Sequence, residues 1–343
     1  MYDKHTLKNG LRVVGEKIPF FNSVSVGVWI KTGSRNETPE ISGVSHFIEH
    51  MLFKGTTSRT AKDIASCIDN VGGQLNAFTG KENTCYYVKV LDTHLDLAVD
   101  LLSDMLNHSL MDEVELSKER GVIIEEIGMY EDNPEETVHD VLASAIWTED
   151  PLGMPILGTV ETLESMTRDT LLDYMKKQYT PENMVISVAG NYDFAKVIAL
   201  IEAKFGAMEA NTEKRSEIPV PAFLDGKLSK QKETEQVHYC IGYEAFPVGH
   251  DLYFPMLVLN NLFGGAMSSR LFQRIREEMG LAYSVFSYTS SFANCGLISI
   301  YAGMNPNQYK LVADLINEEV SKLVEGGVTE MELTNSKEQL KGS

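Results

Sequence analysis

The chain has 343 residues, enough for about two domains that each bury a hydrophobic core. With 43% hydrophobic and 23% charged residues it has the composition of an ordinary globular protein, which excludes a disordered, collagen-like or coiled-coil chain. Acidic residues outnumber basic ones by 49 to 30, and the formal charge of −19 repels phosphate backbones and anionic lipid headgroups. We therefore expect no nucleic-acid partner and no membrane partner.

Two further features predict a cytoplasmic location. The four cysteines lie far apart without a C-x-x-C pair, which favours reduced thiols over a disulfide framework; they are Cys67, Cys85, Cys240 and Cys295. The segment MYDKHTLKNG at the start contains no apolar signal-peptide core, and no apolar run approaches the ~18 to 20 residues that span a bilayer.

The first part of the chain alternates predicted strands and helices. β-branched and apolar residues predict strands over residues 11–14 and 24–30, and apolar residues at helical spacing predict a helix from Val44 that ends at Gly55. The pattern then predicts, in order, a helix, two strands and a helix, over residues 61–71, 74–79, 85–91 and 96–106.

The rest of the chain indicates where one domain ends and another begins. The acidic segment 112–147 predicts two helices that are separated at Asn133-Pro134, because proline disfavours helical geometry in the preceding residue. The polar, aperiodic stretch NTEKRSEIPVPAFLDGK indicates a linker. We therefore expect a first half over residues 1–212, a linker over 213–227 and a second half over 228–343.

Three short sequence matches indicate that the two halves are homologous. They occur in the same order in both halves, with offsets that rise slowly from 210 through 214 to 217. The matched segments are residues 52–55 with 262–265, 97–102 with 311–316, and 115–116 with 332–333.

The motif HFIEH carries the strongest chemical signal. His46 and His50 are four residues apart and Glu49 lies between them, so all three share one side of a helix. Two imidazoles at this spacing suit a zinc ion, and the neighbouring carboxylate can accept a proton from water. The alternative is a helix with surface histidines, but unpaired polar groups among the surrounding apolar residues would be costly. The order H-x-x-E-H is typical of inverzincins.

A third zinc ligand would come from another element. In the acidic helix after Asp112, Glu119 and Glu126 are seven residues apart and share a face, whereas Glu125 points about a quarter-turn away. Helical periodicity does not choose between Glu119 and Glu126. The other glutamates of the segment fit a solvated helix surface.

Longer segments resemble the pitrilysin/insulysin group of zinc peptidases, particularly the branch of the mitochondrial processing peptidase and its bacterial relatives. The most specific are GVSHFIEHMLFKGT, GGQLNAFTGKENTCYY, ERGVIIEEI and PLGMPILG in the first half and GGAMSSRLFQRIREEMGLAYSV in the second. The resemblance covers almost the whole chain. It implies an α+β fold of two homologous halves, each a mostly antiparallel sheet with helices packed on it, which face each other across a chamber.

The resemblance also implies roles for residues of the first half. His46, His50 and Glu126 match the family's zinc ligands, so Zn²⁺ is the expected cofactor. Glu49 matches the general base, and Glu119 matches a glutamate that supports the site from outside the ligand shell.

Further roles concern the substrate. Arg276 and Tyr283 match the pair that contacts the scissile carbonyl and its oxyanion, for which a guanidinium and a phenol are suitable donors. An ordinary helix-surface charge is the alternative for Arg276. Asn76 and Ala77, in LNAF, match the edge strand that pairs with the substrate backbone, and a plain strand-end asparagine is the alternative for Asn76.

We therefore expect a zinc endopeptidase that cleaves unfolded peptides or presequence-like segments, with the catalytic residues of both halves in one chain. Because two such chains commonly associate in this branch, we expect a homodimer. The rival hypothesis is a non-catalytic scaffold subunit of the same fold, against which the intact motif argues. A metal-dependent hydrolase of non-peptide substrates is a third and weaker alternative.

The length bears on the expected activity. At an offset of 217, Ser343 corresponds to Glu126, so the second half has no counterpart of residues 127–212. We expect an incomplete second half, and weak or absent peptidase activity from this chain alone, because the missing part would support Arg276 and Tyr283.

Overall fold

The computed structural model describes residues 2–210 and 217–342. Residues 213–216 of the predicted linker therefore lie outside the described residues, as do residues 211–212 and the final Ser343.

The chain forms two compact units, each built from two stretches of sequence. The first comprises Met1–Met129 and Met154–Glu217, and the second comprises Tyr130–Gly153 and Ile218–Ser343. The predicted division assigns residues 130–153 to the first half, whereas in the structure they pack with the second unit.

A six-stranded sheet forms the centre of the first unit. Its strands are β1 (Asp3–Thr6), β2 (Arg12–Lys17), β3 (Ser23–Ile30), β4 (Gln74–Thr79), β5 (Thr84–Leu91) and β6 (Met184–Gly190). They lie in the order β1-β2-β6-β3-β5-β4, and only the pair β2 and β6 is parallel. The predicted mostly antiparallel sheet is confirmed, and β2 to β5 lie at the four predicted strand positions.

Helices follow the predicted pattern closely. Those up to residue 205 are α1 (Val44–Leu52), α2 (Ala61–Asp69), α3 (Leu95–His108), α4 (Glu113–Glu131), α5 (Pro134–Ile146), α6 (Val160–Ser165), α7 (Arg168–Gln178) and α8 (Phe194–Phe205). The predicted break at Asn133-Pro134 separates α4 from α5. There the Asn133 side chain accepts a hydrogen bond from the Glu135 N–H, and Pro134 occupies the first position of α5.

The core of the first unit lies between one face of this sheet and the helices. Along β3, Val24, Val26, Val28 and Ile30 point to that face and are buried, whereas Ser25 and Trp29 on the other face are exposed. Side chains of α1 pack into the same cluster. Each fully buried aliphatic side chain contributes about 1.5 to 3 kcal/mol, so this face fixes the position of α1.

The second unit has a smaller sheet and its own core. Its remaining elements are β7 (Val237–Ala245), α9 (Tyr253–Asn260), β8 (Ala282–Ser291), β9 (Gly296–Met304), α10 (Tyr309–Gly326) and α11 (Glu330–Gly342), with two π-helical segments, Asn261–Gly265 and Phe272–Glu278. The strands are antiparallel in the order β7-β9-β8. Among the described residues, no helix has both the length and the apolar character needed to cross a membrane.

The sheet orders support the predicted homology of the halves. In the first unit β3, β5 and β4 are neighbours in that order, and in the second β7, β9 and β8 repeat the arrangement with the same antiparallel directions. A helix follows the middle strand directly in both units: α3 follows β5, and α10 follows β9.

Helix α5 explains why residues 130–153 belong to the second unit. All nine residues of β9 are buried, which requires cover on both faces of the strand. Ile300 and Ala302 point into the core beneath the helices that follow in the chain, whereas Leu297 packs with Ile146 and Trp147 at the end of α5. Burial against this second face therefore places α5 with a sheet that lies a hundred residues further along the chain.

Two glycines inside α4 have no packing reason to be there. A Cβ atom built on Gly121 or Gly128 meets no other atom within 4 Å. Glycine in a helix interior costs about 0.5 to 1 kcal/mol relative to alanine. We therefore expect Gly121→Ala to raise the free energy of unfolding by about that amount, measured by urea denaturation followed by circular dichroism.

The Gly33→Ala variant should have the opposite effect on stability. A Cβ at residue 33 would lie 2.2 Å from the carbonyl oxygen of Gly80, so this variant should unfold at lower urea concentration than the wild type. A Gly121→Ala protein that is no more stable than the wild type would show that Gly121 has a role that its open surroundings do not reveal.

Candidate metal centre

The start of α1 is set by a close approach of two backbones. Gly43 precedes the helix with φ of 94°, and a Cβ there would lie 2.7 Å from the carbonyl oxygen of Leu157. Opposite it, Gly158 also has a positive φ, and its Cβ would lie 2.3 Å from the carbonyl oxygen of Ser42. Only glycine fits both positions without strain. The segment PLGMPILG thus packs against the turn from which α1 begins.

A buried carboxylate caps this helix. Glu37 accepts hydrogen bonds from the N–H groups of Gly43 at 2.7 Å and Ser45 at 2.8 Å. Burial raises the pKa of Glu37 to about 7, although both backbone hydrogen bonds act in the opposite direction.

Helix α1 presents the three residues of the motif on one side. Its apolar residues Phe47, Ile48, Met51 and Leu52 are fully buried in the core. His46 and His50, one turn apart, have ring centroids 4.6 Å apart. Burial, and to a lesser extent the neighbouring His50, lower the pKa of His46 to about 4. His46 is therefore neutral at neutral pH, the form of imidazole that binds metal ions.

Helix α4 brings a carboxylate to both histidines. Oε2 of Glu126 lies 3.8 Å from Nε2 of His46 and 3.6 Å from Nε2 of His50. One potential ligand atom from each of these residues lies within 4.8 Å of the other two. Periodicity left Glu119 and Glu126 as equal candidates, and only Glu126 joins this group. Glu125, the preceding residue on the helix, is exposed.

Glu119 contacts the ring nitrogen of His50 that faces away from Glu126. Its Oε2 lies 3.1 Å from Nδ1 of His50, on the opposite side of the ring from Glu126, and its Oε1 lies 2.7 Å from Nζ of Lys54. Glu119 is buried, and the Lys54 ammonium compensates its charge. A carboxylate on the second ring nitrogen fixes the ring orientation and leaves the other nitrogen free to bind a metal.

Glu49 points to a strand. The hydroxyl of Thr79, at the end of β4, donates a hydrogen bond to Oε2 of Glu49. Burial raises the pKa of Glu49, and the hydrogen bond from Thr79 acts in the opposite direction. Sequence reasoning missed Thr79 and Lys54. Both lie in segments that carry the resemblance, but nothing in their spacing points to the contacts they make.

The residues present fit a zinc ion. Two imidazoles and a carboxylate form a donor set that zinc takes in sites with one open position. Ligand atoms that each lie ~2.0 to 2.1 Å from one tetrahedral ion stand about 3.3 Å apart, close to the separations between Glu126 and the histidines. A modest adjustment of these side chains would complete the site.

The second unit brings Arg276 and Tyr283 together. The Cζ atom of Arg276 lies 4.6 Å from the ring centroid of Tyr283 and 4.7 Å from that of Phe272. The Tyr283 side chain is 78% exposed, so its hydroxyl is open to a ligand. These cation–π contacts restrict the position of the guanidinium group.

Asn76 and Ala77 lie on β4, at the edge of the first sheet. Within the described residues β4 pairs only with β5, so its other edge has no neighbouring strand. The N–H of Ala77 donates a hydrogen bond to Oδ1 of Asn76 at 2.8 Å. Asn76 is exposed on one face of the strand, whereas Ala77 and Thr79 lie on the other face and are half-buried.

Known sequences match this chain along almost its whole length. Residues 12–160 match the profile described as insulinase (peptidase family M16), and residues 165–340 match that of the peptidase M16 inactive domain. An uncharacterized zinc protease of Bacillus subtilis is 51% identical over 343 residues, which are 100% of this chain and 83% of the relative. One of Streptomyces coelicolor is 44% identical over 98% of this chain and 75% of its own length.

Solved structures show the same fold. A protease from Helicobacter pylori superposes with a TM-score of 0.92 and 25% identity, covering 100% of this chain and 84% of the other. A peptidase M16 inactive domain from Pseudomonas fluorescens has a TM-score of 0.93 and 18% identity, with the same coverage. The predicted two-part α+β fold is therefore confirmed.

The ligand assignment leads to a test on neighbouring residues of α4. We expect Glu126→Gln to weaken zinc binding by more than about 100-fold, because it removes the carboxylate that joins the two histidines. Glu125→Gln, which changes an exposed residue of the same helix, should leave the affinity unchanged. Competition with a chromogenic chelator measures both. Equal effects of the two substitutions would refute the choice of Glu126.

Proposed function

Because this chain belongs to peptidase family M16, we propose that it is a zinc-dependent endopeptidase that hydrolyses unfolded peptides or presequence-like segments. One observation carries the proposal: His46, His50 and Glu126 converge, and Glu49 precedes His50 on the same helix. The relatives from Bacillus subtilis and Streptomyces coelicolor are named zinc proteases, which supports this proposal.

The first unit would supply the metal and the base. His46, His50 and Glu126 would hold zinc, which polarises a carbonyl group and lowers the pKa of a water molecule. Glu49 would accept the proton of the attacking water and later give it to the departing amine. The Thr79 hydrogen bond holds one oxygen of Glu49 and thereby sets the direction in which the other oxygen points.

The second unit would supply donors to the developing negative charge. We propose that Arg276 and Tyr283 donate hydrogen bonds to the oxyanion, since a guanidinium and a phenol suit this role. Their stacking and the exposure of Tyr283 support the proposal.

The edge of β4 would hold the substrate. An extended peptide could add to this edge through its backbone, with Asn76 and Ala77 at the point of contact. Thr79 on the same strand contacts Glu49, so a peptide on this edge would lie near the base. Enclosure of the peptide in a chamber, the homodimer and the cytoplasmic location stay predictions.

Measurements of zinc content and of peptide cleavage separate this proposal from its alternatives. A purified protein that binds no zinc would favour the non-catalytic scaffold. A zinc-loaded protein whose peptide cleavage is abolished by a chelator would support the peptidase, and mass spectrometry of long incubations detects even weak cleavage. Chelator-sensitive hydrolysis of esters or other non-peptide substrates, without peptide cleavage, would favour the third alternative.

The base assignment is tested by Glu49→Gln. We expect this variant to keep its zinc and to lose peptide cleavage by at least about 100-fold, because an amide cannot accept the proton from water. Zinc content and the yield of cleaved peptide after long incubation, measured by mass spectrometry against the wild type, are the measurements. Cleavage at the wild-type rate by a zinc-loaded Glu49→Gln protein would contradict the assignment of Glu49 as the base.

The contact between Thr79 and Glu49 gives a finer test. Thr79→Val keeps the shape and removes the hydroxyl, so we expect kcat/KM to fall about tenfold, as for the loss of one hydrogen bond to a charged group. Thr79→Ser keeps the hydroxyl and should retain most activity. Zinc content should be the same in both, since within the described residues no hydrogen bond joins the Thr79 hydroxyl to His46, His50 or Glu126. Equal activity of the two variants would contradict the role given to Thr79.

A further inference from the structure

Glu37 is a buried acidic residue outside the group of ligands and the base. It lies in the segment between β3 and α1 and is only 3% exposed. Nothing in the spacing of the sequence marks it. Its partners are the backbone N–H groups of Gly43 and Ser45, together with the side chain of Ser45. Its carboxylate lies at the start of the helix that carries His46 and His50.

Both oxygens of Glu37 hold the first turn of α1. Oε2 accepts from the N–H of Gly43, the residue before the helix, and Oε1 accepts from the N–H of Ser45, its second residue. The first N–H groups of a helix have no partner within the helix, and Gly43 has no side chain with which to cap them. Glu37 fills this role from outside the helix, where a negative charge is also favoured by the helix dipole.

The same turn is held from a second side. Oγ of Ser45 lies 3.0 Å from the hydroxyl of Tyr174 on α7, and that hydroxyl lies 2.9 Å from Oγ1 of Thr32, which follows β3. His46 is the next residue after Ser45. The backbone that carries His46 is therefore fixed by buried hydrogen bonds on both sides.

The two histidines differ in how their rings are oriented. His50 has Glu119 on its second nitrogen, at 3.1 Å. Nδ1 of His46 is buried, and within residues 2–210 and 217–342 no hydrogen-bond partner reaches it. The direction of the His46 ring therefore depends on the backbone of the first turn, since no acceptor fixes its second nitrogen.

We propose that Glu37 is the positioning residue for His46: its carboxylate fixes the first turn of α1 and so directs the imidazole toward His50 and Glu126. This inference rests on the proposed zinc site. Glu37 is not needed to hold the helix as a whole, because Phe47, Ile48 and Leu52 are fully buried and anchor α1 in the core.

The experiment compares Glu37→Gln with Glu40→Gln in the full chain. Glu40 lies three residues further along the same segment and is exposed, so it is a matched control. Zinc affinity is measured by chelator competition, coordination by the visible absorption of the cobalt(II)-loaded protein, and folding by circular dichroism of the metal-free protein. We expect Glu37→Gln to stay folded, to bind zinc about tenfold or more weakly and to change the cobalt spectrum. Glu40→Gln should match the wild type in all three.

The outcomes separate this inference from the proposed function. A wild type that binds neither zinc nor cobalt would overturn both. A wild type that binds both metals, with a Glu37→Gln variant of the same affinity and the same spectrum, would overturn the role of Glu37 alone.

A second variant covers the case in which Glu37→Gln does not fold. Glu37→Asp keeps the charge but is one methylene shorter, so it cannot reach both N–H groups in the same way. We expect it to fold, with weaker zinc binding and an altered cobalt spectrum. A wild-type affinity and spectrum in Glu37→Asp would then count against the positioning role.

Discussion

The burial of one face of α1 is the constraint on which the site depends. Phe47, Ile48, Met51 and Leu52 are in the core, and together they fix both the axis and the rotation of the helix. Once the rotation is fixed, the helical period places His46 and His50 one above the other beside α4. Apolar packing thus sets the side of the helix on which the motif lies, and polar contacts then orient its side chains.

Polar groups at the edge of a core need partners, and this requirement brings several elements together. Glu119 of α4 lies between His50 and Lys54, Thr79 of β4 donates to Glu49, and Glu37 caps the first turn. Each partner comes from a different part of the chain. A side chain held in this way loses little freedom when it binds a ligand, which is the physical meaning of preorganisation.

Many of the helices and strands, and the position of the motif, could be predicted from the sequence, because they depend on local patterns. The strands β2 to β5, the helix of the motif and the break at Asn133-Pro134 follow from periodicity and from proline. The choice between Glu119 and Glu126 does not follow from periodicity. The two residues are seven apart, which is nearly two full turns, so both side chains point the same way. The resemblance made that choice, and the distances to His46 and His50 agree with it. Contacts such as Thr79 with Glu49, and the packing of α5 with the second unit, join residues far apart in sequence, and no local pattern encodes them.

The second unit repeats the strand order of the first but has other residues at the positions of the motif. The order β7-β9-β8 repeats β3-β5-β4, and α9 matches α1 in sequence at an offset of 210, with Met256, Leu259 and Asn260 opposite the three residues of the motif. In both units a strand hydroxyl donates to a side chain at this helix. Thr79 donates to the carboxylate of Glu49, whereas Ser287 donates to the amide oxygen of Asn260 at 2.8 Å. The two contacts are not at equivalent positions, because Asn260 lies opposite His50 and not Glu49. The amide of Asn260 needs no compensating charge and offers no base, so the Ser287 contact stabilises packing, whereas the Thr79 contact orients a carboxylate.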